Sequence, residues 1–295
     1  MKLTMGKREM ELGGPHLGVL HDSTDIKGNP SALRSRLAED GYLLLRGLHN
    51  RDKVKAARRV VLENMAEAGV VDGNHPLEDG VIEPGKKGKF LGGAKAVTHT
   101  PEFLNLVEAP ELMEFFSDFF DKPTLTYDFK WLRALAEGNF TGAHYDIVYM
   151  GRGTHNICTL WTPLGDTSYE MGPLAVLTGS HQFDRVKDTY GQMDVDRDKV
   201  TGWFSNDPLE LVEQFGGYWR TAEFEMGDVL IFGMYTMHGS LKNTTNRFRI
   251  STDTRYQPAD EPVDERWIGE NPIAHYAWTK GKTVEMEDAR KEWGI

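Results

Sequence analysis

Residues 144–179 read HYDIVYMGRGTHNICTLWTPLGDTSYEMGPLAVLTG, and the fold turns on how this stretch is parsed. It contains two short runs rich in β-branched and apolar residues, NICTLWTPL and PLAVLTG. Gly, Asp, Ser and Pro lie between them, and no helical spacing of apolar positions links them. The same rhythm continues outward: LTYDFKWLRAL (125–135) precedes it, and EFEMGDVLIFG (223–233), TMHGSL (236–241) and RFRISTDTRYQ (247–257) follow. Gly227-Asp228 forms a tight turn that feeds a core strand. Strands that follow one another without intervening helices exclude a doubly wound sheet. They predict two facing antiparallel sheets, a jelly-roll or cupin-like double-stranded β-helix.

The N-terminal part is helical in character. Pro30 opens ALRSRLAEDG, which Gly41 closes as a left-handed cap residue would. YLLLRG follows as a short buried strand. Asn50 caps RDKVKAARRVVLENMAEAG, which ends at Gly69, and residues 71–95 read as a loop. A further helix starts at Pro101 and divides at Pro110. The expected architecture is mainly β with flanking helices, as a single domain over 1–295. It has a helix-rich support (about 1–122), a jelly-roll core (about 123–257) and a tail (258–295) wrapped on the outside.

The composition is that of an ordinary folded chain, with 39% hydrophobic and 27% charged residues in 295. A net charge of −11 repels phosphate backbones, so no nucleic-acid partner is expected. The dense basic cluster Lys86-Lys87-Gly88-Lys89 reads as a solvated loop, or alternatively as a clamp on a substrate anion. No apolar run is long enough to span a bilayer, so no membrane partner is expected. The N-terminal residues lack the apolar core of a secretory signal, and a cytoplasmic location is expected. The single cysteine, Cys158, forms no internal disulfide and is expected to be buried and inert. The sequence does not set the oligomeric state.

Among ten histidines, His144 stands out through His144-Tyr145-Asp146, read as the start of a strand. In a strand, residues i and i+2 share a face, so an imidazole and a carboxylate can meet at one point. His238 begins another strand-like run. Two His and one carboxylate on one face of an ion leave the opposite positions open, which suits iron(II) with a chelating co-substrate and dioxygen. A dicarboxylate co-substrate also needs a buried cation with a bidentate fork. Arg247 and Arg249 both qualify by strand face, and Ser240 can add a hydroxyl.

These segments resemble the phytanoyl-CoA dioxygenase family of iron(II)/2-oxoglutarate oxygenases. The resemblance rests on DGYLLLRGL, HYD, LWTPL, MGPLAVLTGSH, GDVLIF, and MHGS followed by RFRIS, in order over about residues 30–257. Thr178 stands where the family's run before Gly-Ser-His usually has Pro. The resemblance implies His144, Asp146 and His238 as iron ligands and Arg249, rather than Arg247, as partner of the distal 2-oxoglutarate carboxylate. It places Ser240 beside that carboxylate and Trp161 in the co-substrate pocket. Tyr145 stands where a polar residue is often found between the two ligands and is carried as a co-substrate contact. The expected cofactors are Fe(2+), 2-oxoglutarate and O2. The expected reaction is hydroxylation of a small-molecule metabolite with release of succinate and CO2. Asp146 argues against halogenation, since related halogenases lack that carboxylate. Lys130, Phe129, Arg152 and His155 are the candidate substrate contacts, because they flank the ligand segments. The alternative is a cupin-like isomerase or binding protein that holds metal without 2-oxoglutarate.

Overall fold

A computed structural model describes residues 1–86, 94–276 and 282–295; Lys87, Gly88 and Lys89 of the basic cluster lie outside them. Two β-sheets face each other. The larger has strands Tyr42–Leu45, Val229–Gly233, Cys158–Pro163, Arg249–Pro258 and Thr124–Thr126 in that order, with Trp131–Leu135 also pairing Arg249–Pro258. The smaller runs His238–Ser240, Leu174–Thr178, Tyr218–Thr221 and Leu17–Val19. All of these pairs are antiparallel except Tyr218–Thr221 with Leu17–Val19, which is parallel. This is the predicted jelly roll, with one added parallel edge drawn from the N-terminus.

Strand alternation sorts side chains between two cores. In Tyr42–Leu45, Tyr42 and Leu44 face the smaller sheet and pack with Trp161, Val176, Leu230 and Phe232. Leu43 and Leu45 face outward and pack with Leu33, Leu112 and Phe116 of the helices. The helices lie where the sequence predicts: Pro30–Asp40, Arg51–Glu67, Pro101–Val107 and Pro110–Phe120. Asn29 and Asn50 side chains accept the first free backbone N–H groups of the first two. Gly41 sits at φ 81°, with His181 packed where a Cβ would stand. All four helices cover the outer face of the larger sheet, which leaves the space between the sheets for a site.

Three expectations need correction. Residues 125–135 are not one strand. Residues 127–130 separate two short strands, because Lys130 turns inward to Glu108 (2.8 Å) and to the Tyr127 carbonyl. HYD does not begin a strand: His144 makes a single bridge to His238, and Asp146 leads into the helical turn Ile147–Met150. The tail does more than wrap the outside. Trp267 is fully buried, and Arg266 is buried in bonds to Asp264 and Asp196. Cys158 is buried, as expected, and burial pushes its thiol up to about 12.

His49 is buried against the Thr162 hydroxyl (3.0 Å), and burial pushes its pKa down to about 4 from 6.5. The unfolded chain therefore takes up this proton first as pH falls. The folded state loses stability from about pH 6.5 down to about 4, and the loss saturates below that. At about 1.4 kcal/mol per pK unit, this one group accounts for about 3 kcal/mol. His49→Gln should shrink the acid-side fall in unfolding free energy of the metal-free protein by about that amount, read by urea denaturation at stepped pH.

Candidate metal centre and adjoining chamber

The segments 141–144 and 238–240 are zipped together by their backbones. His144 N–H donates to the His238 carbonyl (3.0 Å), and His238 N–H donates to the His144 carbonyl (3.1 Å). Residues paired this way project their side chains on the same face, and the imidazole centroids lie 4.1 Å apart. Ser240 extends the zipper: its N–H donates to the Thr141 carbonyl, and its hydroxyl accepts the Thr141 N–H (2.9 Å each). Gly239 is required between them, since a Cβ there would stand 2.8 Å from the Thr141 carbonyl oxygen.

Asp146 completes the cluster. Its Oδ1 lies 3.8 Å from Nε2 of both His144 and His238, and the three ligand atoms lie within 4.8 Å of one another. Each imidazole is held by its other nitrogen. His144 Nδ1 bonds the Gly142 carbonyl and His238 Nδ1 the Thr236 carbonyl, both at 2.9 Å. A carbonyl only accepts, so each Nδ1 carries the proton and each Nε2 offers a lone pair. Burial, above all, lowers both imidazole pKa values and keeps the rings neutral. Burial alone would raise the Asp146 carboxyl. The Arg255 guanidinium, with the Thr159 hydroxyl, overcomes it and holds the group far below the usual carboxylate range. Two neutral imidazoles and one ionised carboxylate are a donor set suited to a divalent transition metal.

Alongside lies a second polar feature. Arg249 is buried on the sheet's inner face, and burial lowers its pKa to about 10, so it remains charged at neutral pH. Its guanidinium bonds Ser251 Oγ and lies 5.7 Å from the Trp161 ring. Arg249 Nε and Trp161 Nε1 have no partner among the described residues. Buried donors left unpaired are costly, and a bound carboxylate would satisfy both. The residues present therefore fit a dicarboxylate as well as a metal.

A chamber of about 820 Å³ opens onto His144 and Asp146. Its wall is mostly apolar, including Phe129, Trp131, Phe140, Tyr149, Met193 and Trp203. Arg133, Arg255 and His275 supply polar groups. Arg133 bonds Asp253 (2.8 Å), and His275 Nδ1 bonds the buried Asp196 (2.9 Å). Trp203 and Tyr149 also pack on the His144 ring, with centroids at 4.9 and 5.6 Å.

Of the candidate substrate contacts, Phe129 lines this chamber and three do not. Lys130 is buried and paired with the exposed Glu108, as noted. Arg152 is held by Asp194 (2.5 and 2.9 Å), and His155 is exposed beside the Tyr235 hydroxyl. Tyr145 also turns away from the cluster. Its hydroxyl donates to the Ser180 carbonyl (2.6 Å), and its ring packs near Tyr190 and Tyr235. Sequence reasoning missed Arg255 and Thr159, which both bond Asp146 Oδ2. It also missed His275. Alternation along Arg249–Pro258 carries a signal for Arg255, since residues 249, 251, 253 and 255 share a face.

The family model for phytanoyl-CoA dioxygenase (PhyH) matches residues 37–251, well over half of the chain. The 1-deoxypentalenic acid 11-beta-hydroxylase of Streptomyces exfoliatus is 27% identical over 255 residues, covering 81% of this chain and 84% of its own. The Streptomyces arenae protein of the same name is 26% identical over 263 residues, with the same coverage. Among solved structures, EctD from S. alaskensis with bound Fe aligns with a TM-score of 0.57 at 17% identity, covering 90% of each chain. The carbocyclase SnoK from nogalamycin biosynthesis aligns at 0.55 and 19%, covering 83% of this chain and 90% of its own. At such identities these two establish the jelly-roll fold.

Lys130→Met should lower unfolding free energy by about 1–2 kcal/mol, because the Tyr127 carbonyl loses its donor while the partly exposed Glu108 stays solvated. It should leave metal affinity at the wild-type value; denaturation and metal titration on one preparation check both.

Proposed function

This chain belongs to the phytanoyl-CoA dioxygenase family, and on that premise we propose that His144, Asp146 and His238 hold its iron(II) and that Arg249, with Trp161 and Ser240, receives the distal carboxylate of 2-oxoglutarate. The protein is an iron(II)- and 2-oxoglutarate-dependent oxygenase acting on a small molecule. The observation that carries the residue assignment is the cluster itself: two neutral Nε2 atoms and one carboxylate oxygen, within 4.8 Å of one another, at the edge of an apolar chamber. The unpaired donors of Arg249 and Trp161 favour a protein that uses 2-oxoglutarate over a metal-binding cupin that does not.

Bound iron supplies dioxygen activation, coupled to conversion of 2-oxoglutarate into succinate and CO2. The protein's own groups do the rest. The Gly142 and Thr236 carbonyls fix the tautomer and aim of the two imidazoles. Arg249 orients the co-substrate by a two-pronged contact at its far end. The aromatic wall would exclude water and hold a substrate at the mouth of the His144–Asp146 cluster. Hydroxylation of that carbon is the outcome we assign, in keeping with the name of the Streptomyces relatives.

The wall favours a hydrocarbon-bodied substrate, and Arg133 and His275 suit an oxygen-bearing group such as a carboxylate at one end. The relatives' name is that of an acid hydroxylase. Pro272, Ala274 and His275 of the wall lie beyond the family match, so this chain's tail shapes its own selectivity. A single domain, a cytoplasmic location and the absence of nucleic-acid or membrane partners complete the reading. The charge of −11 disfavours a polyanionic partner, and among the described residues no helix is long and apolar enough to cross a membrane.

His144→Ala and Asp146→Ala should each reduce substrate-dependent succinate formation to background, assayed over a panel of hydrocarbon-rich acids. Full turnover in both variants would contradict the ligand assignment. Arg249→Met should raise the KM for 2-oxoglutarate by roughly 30-fold or more, the equivalent of about 2 kcal/mol for a lost buried charge pair.

A further inference from the structure

Asp146 Oδ2 is gripped from two sides. Thr159 Oγ1 donates to it at 2.6 Å and Arg255 Nη2 at 3.0 Å. Thr159 and Arg255 stand directly opposite each other in the pairing of Cys158–Pro163 with Arg249–Pro258, so their side chains rise together from one face of the sheet. Arg255 is itself fixed. It is 2% exposed, and its guanidinium carbon lies over Trp131 at 4.2 Å from the ring centroid. Replacing a buried ion pair by apolar groups is often neutral or stabilising, so stability alone does not account for a guanidinium here. Its effect is geometric. With Oδ2 occupied twice, only Oδ1 is left to point between the imidazoles, at 3.8 Å from each Nε2.

We propose that Arg255 is a positioning residue that, with Thr159, holds Asp146 so that it meets the metal through Oδ1 alone and leaves the remaining positions of the ion open. The inference rests on the assignment of Asp146 as a ligand and concerns a residue beyond the stretch matched by the family model. Outer partners of metal ligands fix ligand orientation, and their loss typically weakens metal binding or activity by about 10- to 100-fold. Charge alone predicts the reverse, because a guanidinium repels a dication and its removal would tighten binding. The two effects have opposite signs and can be told apart.

The test is anaerobic titration of the full chain with cobalt(II), following the visible ligand-field bands, for wild type, Arg255→Met and Arg255→Lys, with apo-protein near-UV circular dichroism as the folding control. The proposal expects Arg255→Met to fold like wild type, to bind cobalt about 10-fold more weakly or worse, and to show altered bands from a freed carboxylate. Arg255→Lys, which keeps a cationic donor, should recover most of the affinity and the band shape. In turnover, Arg255→Met should lower kcat while leaving the KM for 2-oxoglutarate near its wild-type value. Equal or tighter cobalt binding with unchanged bands in a folded Arg255→Met overturns the proposal, as does a defect confined to substrate KM. If Arg255→Met does not fold, Thr159→Val is read in its place by the same criteria. A wild-type protein that binds no cobalt would instead overturn the ligand assignment.

Discussion

The reciprocal backbone pair between His144 and His238 carries the site. Two hydrogen bonds near 3 Å join residues 94 positions apart and set both imidazoles on one face. One half of the polar groups around the proposed metal centre follows from that junction. Ser240 and Thr141 extend it, Gly239 allows the close approach, and the helical turn after Asp146 swings the carboxylate under both rings. The pairing is possible because His238–Ser240 is an edge strand of the smaller sheet, with Leu174–Thr178 on its other side. Its free edge is met by a segment that never becomes a strand.

The larger sheet supplies the second half of the arrangement. Its strand Arg249–Pro258 crosses the whole site and pairs with three neighbours. Its inner face presents Arg249, Asp253 and Arg255 in sequence. Arg249 sits beside Trp161, Asp253 bonds Arg133, and Arg255 reaches Asp146. One rigid strand thus ties the proposed co-substrate pocket, the chamber wall and the proposed metal ligand to a common frame. Helices packed on its outer face, through Phe116 against Tyr256 at 4.0 Å, hold that frame still.

Much of this was legible in the sequence. The strands at 158–163, 174–178, 229–233 and 249–258 announce themselves by apolar β-branched runs and by turns such as Gly227-Asp228. The N-terminal helices announce themselves by Pro30 and Gly41 at the ends of the first, by the Asn50 cap of the second, and by Pro101 and Pro110. His144 and Asp146 meet as the i, i+2 argument expects, although the segment is a bridge and a turn instead of a strand. Other features depend on contacts with distant residues. Lys130 alternates correctly for a strand, yet Glu108 draws it into the sheet's flank and breaks the run. Arg152 finds Asp194, and Tyr145 finds the Ser180 carbonyl, so neither reaches the chamber. Arg255 gains its place from Asp146, 109 residues away, and from Trp131, and His275 gains its place from Asp196, 79 residues away. No local pattern encodes either partner.

The metal cluster and the Arg249–Trp161 donors lie on different strands and make separate demands on a ligand. A single molecule that chelates iron at one end and carries a carboxylate at the other would meet both. The most direct measurement is therefore the visible spectrum of the anaerobic, iron(II)-loaded protein as 2-oxoglutarate is added. A metal-to-ligand charge-transfer band that grows to saturation at one equivalent, and that does not form without iron, is the predicted result. An iron-loaded protein whose spectrum stays unchanged at saturating 2-oxoglutarate would contradict the assignment and leave a metal-binding jelly roll with a different partner.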